Sequence, residues 1–269
     1  MRWEAPQSFQ GGDIMAVYAI LGGISAHFGL CTGLGATTLL RPLLDAVSSL
    51  PPRSVSLLCT MATLGAALVS AFFALSRPLP LHQDELILLA VGGALGGFLG
   101  DLASNRFLSV LTPEAAMLLQ NALLFTLVAL PAIYFRTLSQ SVRPLSLTRL
   151  GSLPVSLLAG LAASFLSFGA EPLTLLAYYL LFDAEDDESA AAALTVALFA
   201  MAGKLITQLV RLRLNLPDAD ALLWLLPGTL IGAAAAMFPA FQGKLPRKGD
   251  MLLKMSLFTS LVNIAAALV

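Results

Sequence analysis

Charge is scarce in this 269-residue chain, where Asp, Glu, Lys and Arg together make up 12% of residues. Soluble domains carry roughly 25%, so a water-soluble globular protein is excluded. Only two cysteines occur, Cys31 and Cys59; both fall in apolar stretches, which rules out a disulfide framework and makes core packing the plain account of each. The formal net charge of −1 supplies no basic surface for nucleic acid. No HxxxH, CxxC, GxxxxGK[ST] or GxSxG pattern is present, which argues against an enzyme, and no metal or prosthetic group is implied. The first thirteen residues are polar, with Arg2, Glu4 and Asp13, and lack the basic region and small-residue cleavage site of a signal peptide, so the N-terminus is expected to be retained.

What the chain has instead is apolar length. It is 58% hydrophobic with a mean hydropathy of +0.85. Uncharged runs over 14–40, 54–76, 115–135, 151–170 and 221–243 approach or exceed the ~20 residues an α-helix needs to cross a bilayer. Porin-like alternation is absent. The expectation is an all-α membrane protein with about eight transmembrane segments. Prolines and glycines at Pro51-Pro52, Pro78, Pro80, Pro144, Pro217, Pro246 and Gly249 fall between the spans, and Pro113-Glu114 reads as a helix start.

Two of the spans are broken by glycine: Gly29-Leu30-Cys31-Thr32-Gly33-Leu34-Gly35-Ala36-Thr37-Thr38, and Ser167-Phe168-Gly169-Ala170-Glu171-Pro172. Sliding the chain by 136 residues places Gly33 on Gly169, Gly92 on Gly228, Gly96 on Gly232 and Glu114 on Asp250. The reading is two pseudo-symmetric halves, each opening with a helix broken at a Gly-rich element: a polar tail (1–13), a first repeat (14–135), an inter-repeat loop (136–150) and a second repeat (151–269). Gly92-x-x-x-Gly96 and Gly228-x-x-x-Gly232 are small-residue faces for close helix packing. Lys and Arg divide seven against seven between the two sides for eight crossings, so the positive-inside rule leaves orientation open. Parallel and inverted repeats both stay open.

Unwound backbone at membrane depth survives only where protein buries it or where it lines a wet cavity, and corresponding broken segments in two halves point to a transporter's substrate site. A helix starting near Thr37 would aim unpaired amides at the first break, with Thr32, Thr37 and Thr38 adding hydroxyls; such a place suits a small anion. Glycines 29, 33 and 35 either admit a ligand or simply permit tight helix crossing. Arg41 either clamps an anion, or pairs with Asp45 or snorkels to the interface. Lys204, inside an otherwise uncharged span and on one face with Gln208 and Arg211, either attracts substrate or snorkels. Glu171 lies in the second break, where it would bind a coupling proton reversibly or pair with Lys204 or Arg41. His27 is expected to be satisfied by a neighbour, and Asp101 and Asn105 to meet water near a helix end. The acidic run 183–188 reads as a solvated turn.

With these features in place, the chain resembles the sulfite exporter TauE/SafE family, also known as the toluene sulfonate uptake permease family. Gly33-Leu34-Gly35-Ala36-Thr37-Thr38-Leu39-Leu40-Arg41-Pro42 and Gly169-Ala170-Glu171-Pro172-Leu173 carry the resemblance, and the glycine-bearing spans at 92–100 and 228–236 fit it. It departs from the family pattern at Ala36, Thr37, Ala170 and Glu171, where glycines are usual, and at Arg41, where an apolar residue is. The resemblance implies a permease of the prokaryotic cytoplasmic (inner) membrane for small sulfur-containing or carboxylate anions. The expected binding residues are Thr32, Gly33, Gly35, Thr37, Thr38, Arg41, Gly169, Ala170, Thr174 and Lys204, with Glu171 carrying the coupling proton. Partners are the anion and the bilayer, with a homo-oligomer left open. A non-transporting membrane scaffold would instead have both breaks packed shut and Arg41, Lys204 and Glu171 paired together.

Overall fold

The computed structural model describes residues 11–48, 50–74, 80–134, 145, 147–212, 219–238, 254 and 256–265. Among these, every regular element is helical: α1 (Gly11–Thr32), α2 (Thr37–Val47), α3 (Pro52–Ala74), α4 (Gln83–Leu108), α5 (Pro113–Ile133), α6 (Ser152–Leu166) after a 3-10 turn at Arg149–Gly151, α7 (Glu171–Leu181), α8 (Asp186–Leu212) and α9 (Ala219–Ala236), then α10 (Ser256–Ala265). α1 begins at Gly11, so residues 11–13 of the expected polar tail are helical. The rest of that tail, most of the inter-repeat loop, Asp250 and the cations of 213–218 and 239–253 lie outside the described residues.

Local sequence explains the helix ends. Asp84 and Glu85 open α4 and Arg106 closes it, each complementing the helix dipole. The Thr112 side chain accepts from the Ala115 amide just before Pro113, capping α5. Asp186, Asp187 and Glu188 form the first turn of α8.

Against the expected eight crossings, six helices among the described residues have the length and apolarity to span a membrane: α1, α3, α4, α6 with its 3-10 turn, α8 and α9. α2 and α7 have 11 residues each, ~16 Å at 1.5 Å per residue, about half a hydrocarbon core. α5 contributes an apolar stretch at Leu118–Pro131, and α10 is likewise short. The polarity runs inside out. Phe72, Val210, Leu223 and Ile231 face outward while Ser25, Thr63, Ser164, Asn121 and Thr229 are buried, an arrangement that suits lipid and would leave too large an apolar surface in water.

Small residues set the packing. On α4, Gly92, Gly96 and Gly100 sit against the α6 backbone, where a Cβ would meet Leu153, Leu157 or Leu161 carbonyl oxygens; Gly93 and Gly97 turn to α8 at Val196 and Ala200. Gly228 and Gly232 on α9 face the Ala19 and Gly23 carbonyls of α1 in the same way. α4 thus packs on α6 and α8, and α9 on α1 and α3. A side chain at Gly97 would overlap the Ala200 carbonyl. Gly97→Leu is therefore expected to destabilise the protein by about 1–3 kcal/mol or more, read as a lower thermal unfolding midpoint in detergent, while Leu99→Ala on the outward face leaves the midpoint nearly unchanged.

The half-helix α2 is held by a consequence of its own sequence. Pro42 lies inside it and lacks the N–H that would bond the Thr38 carbonyl four residues back. Ser256 Oγ of α10 supplies the missing donor at 2.5 Å, and Asn263 Nδ2 donates to the Pro42 carbonyl at 2.9 Å.

Helix positions correct the register of the slide. α7 begins 134 residues after α2, at Glu171 against Thr37, and α8 begins 134 after α3; α9 begins 136 after α4. Gly169 thus corresponds to Gly35, not Gly33, and Ser167 takes the place of Gly33. The backbone matches at Gly33 and Ser167, both left-handed with φ of 72° and 56°, and differs at the next pair, where Gly35 has φ 81° and Gly169 no positive φ. α9 starts 33 residues after the start of α8, whereas α4 starts 31 after the start of α3, a difference that a single offset chosen on glycines does not see.

Candidate functional site

Each break is a tight turn closed by backbone bonds. In the first, the Gly29 carbonyl accepts from the Leu34 and Gly35 amides at 3.0 and 3.1 Å, and Gly33 N–H bonds the Leu30 carbonyl. In the second, Ser167 and Phe168 amides return to the Ser164 and Ala163 carbonyls. The apolar side chains of the two turns, Leu34 and Phe168, share one core cluster with Leu124 and Val128 of α5 and Leu175 of α7. Among the described residues, the amides of Ala36, Gly169 and Ala170 make no hydrogen bond.

Glu171 joins the two turns. It is the first residue of α7, 5% exposed, and its carboxylate lies where a Cβ on Gly35 of the other break would be. A Cβ on Gly169 would collide with Oε2 and stand 3.0 Å from Thr37 Oγ1. Gly35, Thr37, Gly169 and Glu171 therefore converge, and a side chain at 35 or 169 would displace the carboxylate from this position. Oε2 has no hydrogen-bond partner among the described residues, and a buried carboxylate oxygen without a donor is costly. No ion pair joins Glu171 to Arg41 or Lys204 among the described residues.

The two buried cations are held elsewhere. Arg41, 3% exposed, donates from Nε to Asp45 at 3.0 Å and from Nη2 to Gln120 Oε1 of α5 at 3.1 Å, leaving Nη1 without an acceptor. Lys204, 1% exposed, does not snorkel; Nζ turns inward to the Ser164 carbonyl at 2.6 Å and Ser167 Oγ at 2.7 Å.

The expected hydroxyls divide. Thr32 donates to the Phe28 and Gly29 carbonyls, Thr38 to the Leu34 carbonyl and Thr174 to the Ala170 carbonyl, so their protons are committed within their own segments. Thr37 instead pairs with Thr63 of α3 at 3.1 Å, and since the single Thr63 hydroxyl proton also faces the Cys59 carbonyl at 2.9 Å, the Thr37–Thr63 bond runs in either direction.

Asp101 and Asn105 do not simply meet water. Asp101 is buried, and its Oδ2 accepts from Thr207 Oγ1 at 2.6 Å, Arg211 at 2.6 Å and Asn105 at 3.1 Å. The reason is partner geometry: α4 packs on α8, and Thr207 and Arg211 project from the α8 face that faces Asp101. His27 has Cys31 Sγ at 3.9 Å and Phe28 edge-on. The acidic turn is exposed at 185–187, with Asp186 accepting from Tyr179.

Sequence reading missed Ser56 and Ser167, which bridge α3 to the second break at 2.7 Å, and a buried group in which Tyr178 and Ser152 donate to Glu85. Serine is too common in this chain to signal a site by itself. No curated protein and no solved structure is detectably similar to the chain. A family model described as sulfite exporter TauE/SafE matches residues 18–268, nearly the whole length, and the chain belongs to that family of membrane transporters.

Proposed function

We propose that the protein is a secondary transporter that carries a small anion, sulfite, an organosulfonate or a related short carboxylate, across the prokaryotic cytoplasmic membrane by alternating access, with Glu171 as the proton-coupling group. The observation that carries this reading is the Glu171 carboxylate wedged between Gly35 and Gly169 with Oε2 unpartnered. Lys204 balances the anion's charge, Arg41, already paired with Asp45, adds its unpartnered Nη1 as a donor, and Ala36, Gly169 and Ala170 offer N–H donors with the Thr37 hydroxyl beside them. Gly33 and Gly35 shape the first turn; Thr32, Thr38 and Thr174 brace the backbone there.

The packing supports two copies of one transmembrane repeat, 14–135 and 151–269, with about eight segments and the first helix of each copy interrupted. Exchanging α1 to α5 for α6 to α10 turns the α1·α9 contact into α6·α4, and α3·α9 into α8·α4. Likewise α5 rests on α7 of the other copy, as α10 is tied to α2. A site shared by two such copies opens to one face or the other as they rock.

The test is flux in proteoliposomes. Methanesulfonate, which stays ionised and does not leak as a neutral acid, and sulfite are expected to enter with the protein and not into empty vesicles, and to enter faster with acid outside. Entry of neither anion, with or without the gradient, would remove the carrier reading.

A further inference from the structure

Donors outnumber acceptors around Lys204. An ammonium has three N–H donors; two go to the Ser164 carbonyl and Ser167 Oγ, and the third has no acceptor among the described residues. Ser167 and Ser56 carry two hydroxyl protons, and their mutual bond at 2.7 Å uses one. The Gln208 amide gives one N–H to Ser56 Oγ at 3.1 Å and keeps the other. Gln208, 6% exposed, also has Oε1 without a partner, so its amide is half-satisfied in a place where water-like compensation is costly. These groups come from three segments, α3, the second break and α8, and meet one turn of α8 away from the Asp101 cluster.

We infer that Ser56, Ser167, Gln208 and Lys204 form the subsite that grips the oxyanion head of the substrate, an inference that rests on the carrier reading and specifies where its anion is held. A cation with surplus N–H and O–H donors arriving from three segments matches a head bearing several acceptor oxygens, as in sulfite or a sulfonate. Charge-assisted bonds from such donors are the strong ones. Ser167 ties the subsite to the second break: its left-handed backbone turns Oγ toward Lys204 four residues before Glu171. Anion binding at Ser167 and proton occupancy at Glu171 therefore act on one short turn.

The experiment uses the full chain in detergent, titrated calorimetrically with methanesulfonate, sulfite and acetate, together with flux in proteoliposomes. Ser56→Ala is expected to weaken methanesulfonate and sulfite binding about tenfold. Gln208→Glu preserves shape and places a carboxylate beside Lys204, and it is expected to abolish binding of both; unfolding midpoints are measured alongside, and Leu99→Ala on the outward face serves as the folded reference. Wild-type binding and flux with Ser56→Ala and folded Gln208→Glu both within twofold of wild type would overturn the subsite and leave the carrier standing. Absence of binding and flux in the wild type would bring down both.

Discussion

Glu171→Gln is expected to uncouple the protein from the pH gradient while leaving anion exchange intact. Glutamine has the shape and hydrogen-bonding pattern of a protonated glutamate, so it fills the space between Gly35 and Gly169 without a collision that glutamate avoids. It cannot release a proton. With one proton moved per monovalent anion, a difference of one pH unit supplies about 1.4 kcal/mol, equivalent to a roughly tenfold accumulation ratio. Wild-type vesicles should approach that ratio for methanesulfonate, and Glu171→Gln should accumulate none. Counterflow of labelled against unlabelled methanesulfonate should persist in the variant, because exchange returns the carrier loaded in both directions. Gradient-driven accumulation equal in the two proteins would remove Glu171 from coupling.

How much of this was legible in the sequence depended on the kind of signal. The helical membrane class was plain from run length and the shortage of charge, because lipid imposes one simple rule on composition. The helix ends at Thr32 and Leu166 and the starts at Thr37 and Glu171 fall beside glycine and proline, which act locally on backbone. Glu171 stood out as a carboxylate in an uncharged run. What was not legible is that its carboxylate occupies the space beside a glycine of the other break, since that contact joins positions far apart in sequence. Asp101 was misread for the same reason: its partners Thr207 and Arg211 lie more than 100 positions away, and only the α4 to α8 packing brings them together. Threonines near a break were a poor guide, because a helical hydroxyl always has a carbonyl three or four residues back within reach, and Thr32, Thr38 and Thr174 take it.

Both turns are closed, as a scaffold would have them, while the distribution of buried charge favours the carrier proposed above. A scaffold gains by neutralising its buried cations against Glu171, since an unpaired buried ion is costly. Here Arg41 is neutralised by Asp45, one turn along the same helix, and Asp101 is bridged to Arg211. Among the described residues Lys204 donates to neutral oxygens, with Asp101 the nearest acidic group through Thr207, and Glu171 lies between glycines beside Thr37. Two groups of opposite sign are thus each kept short of a full partner in the region where the two breaks meet, an arrangement that a passing anion and proton would complete in turn.

Gly35→Ala is expected to produce the second large effect, and it tests the wedge directly. Two penalties combine at this position. The backbone has φ 81°, which costs an L-residue about 1–2 kcal/mol, and the added methyl overlaps the Glu171 carboxyl carbon and both oxygens, an overpacking of about 1–3 kcal/mol. Gly169→Ala carries the collision with Oε2 without a left-handed φ, so it should destabilise less. Transport should be lost in both, because the carboxylate must leave its seat. A double-mutant cycle isolates the contact: Gly35→Ala in a Glu171→Ala background should retain only the backbone penalty, giving a favourable coupling of about 1–3 kcal/mol in unfolding free energy, within the range neighbouring residues show. Additive effects of Gly35→Ala and Glu171→Ala would mean that the carboxylate does not rest against Gly35, and the two breaks would then have no shared acidic group.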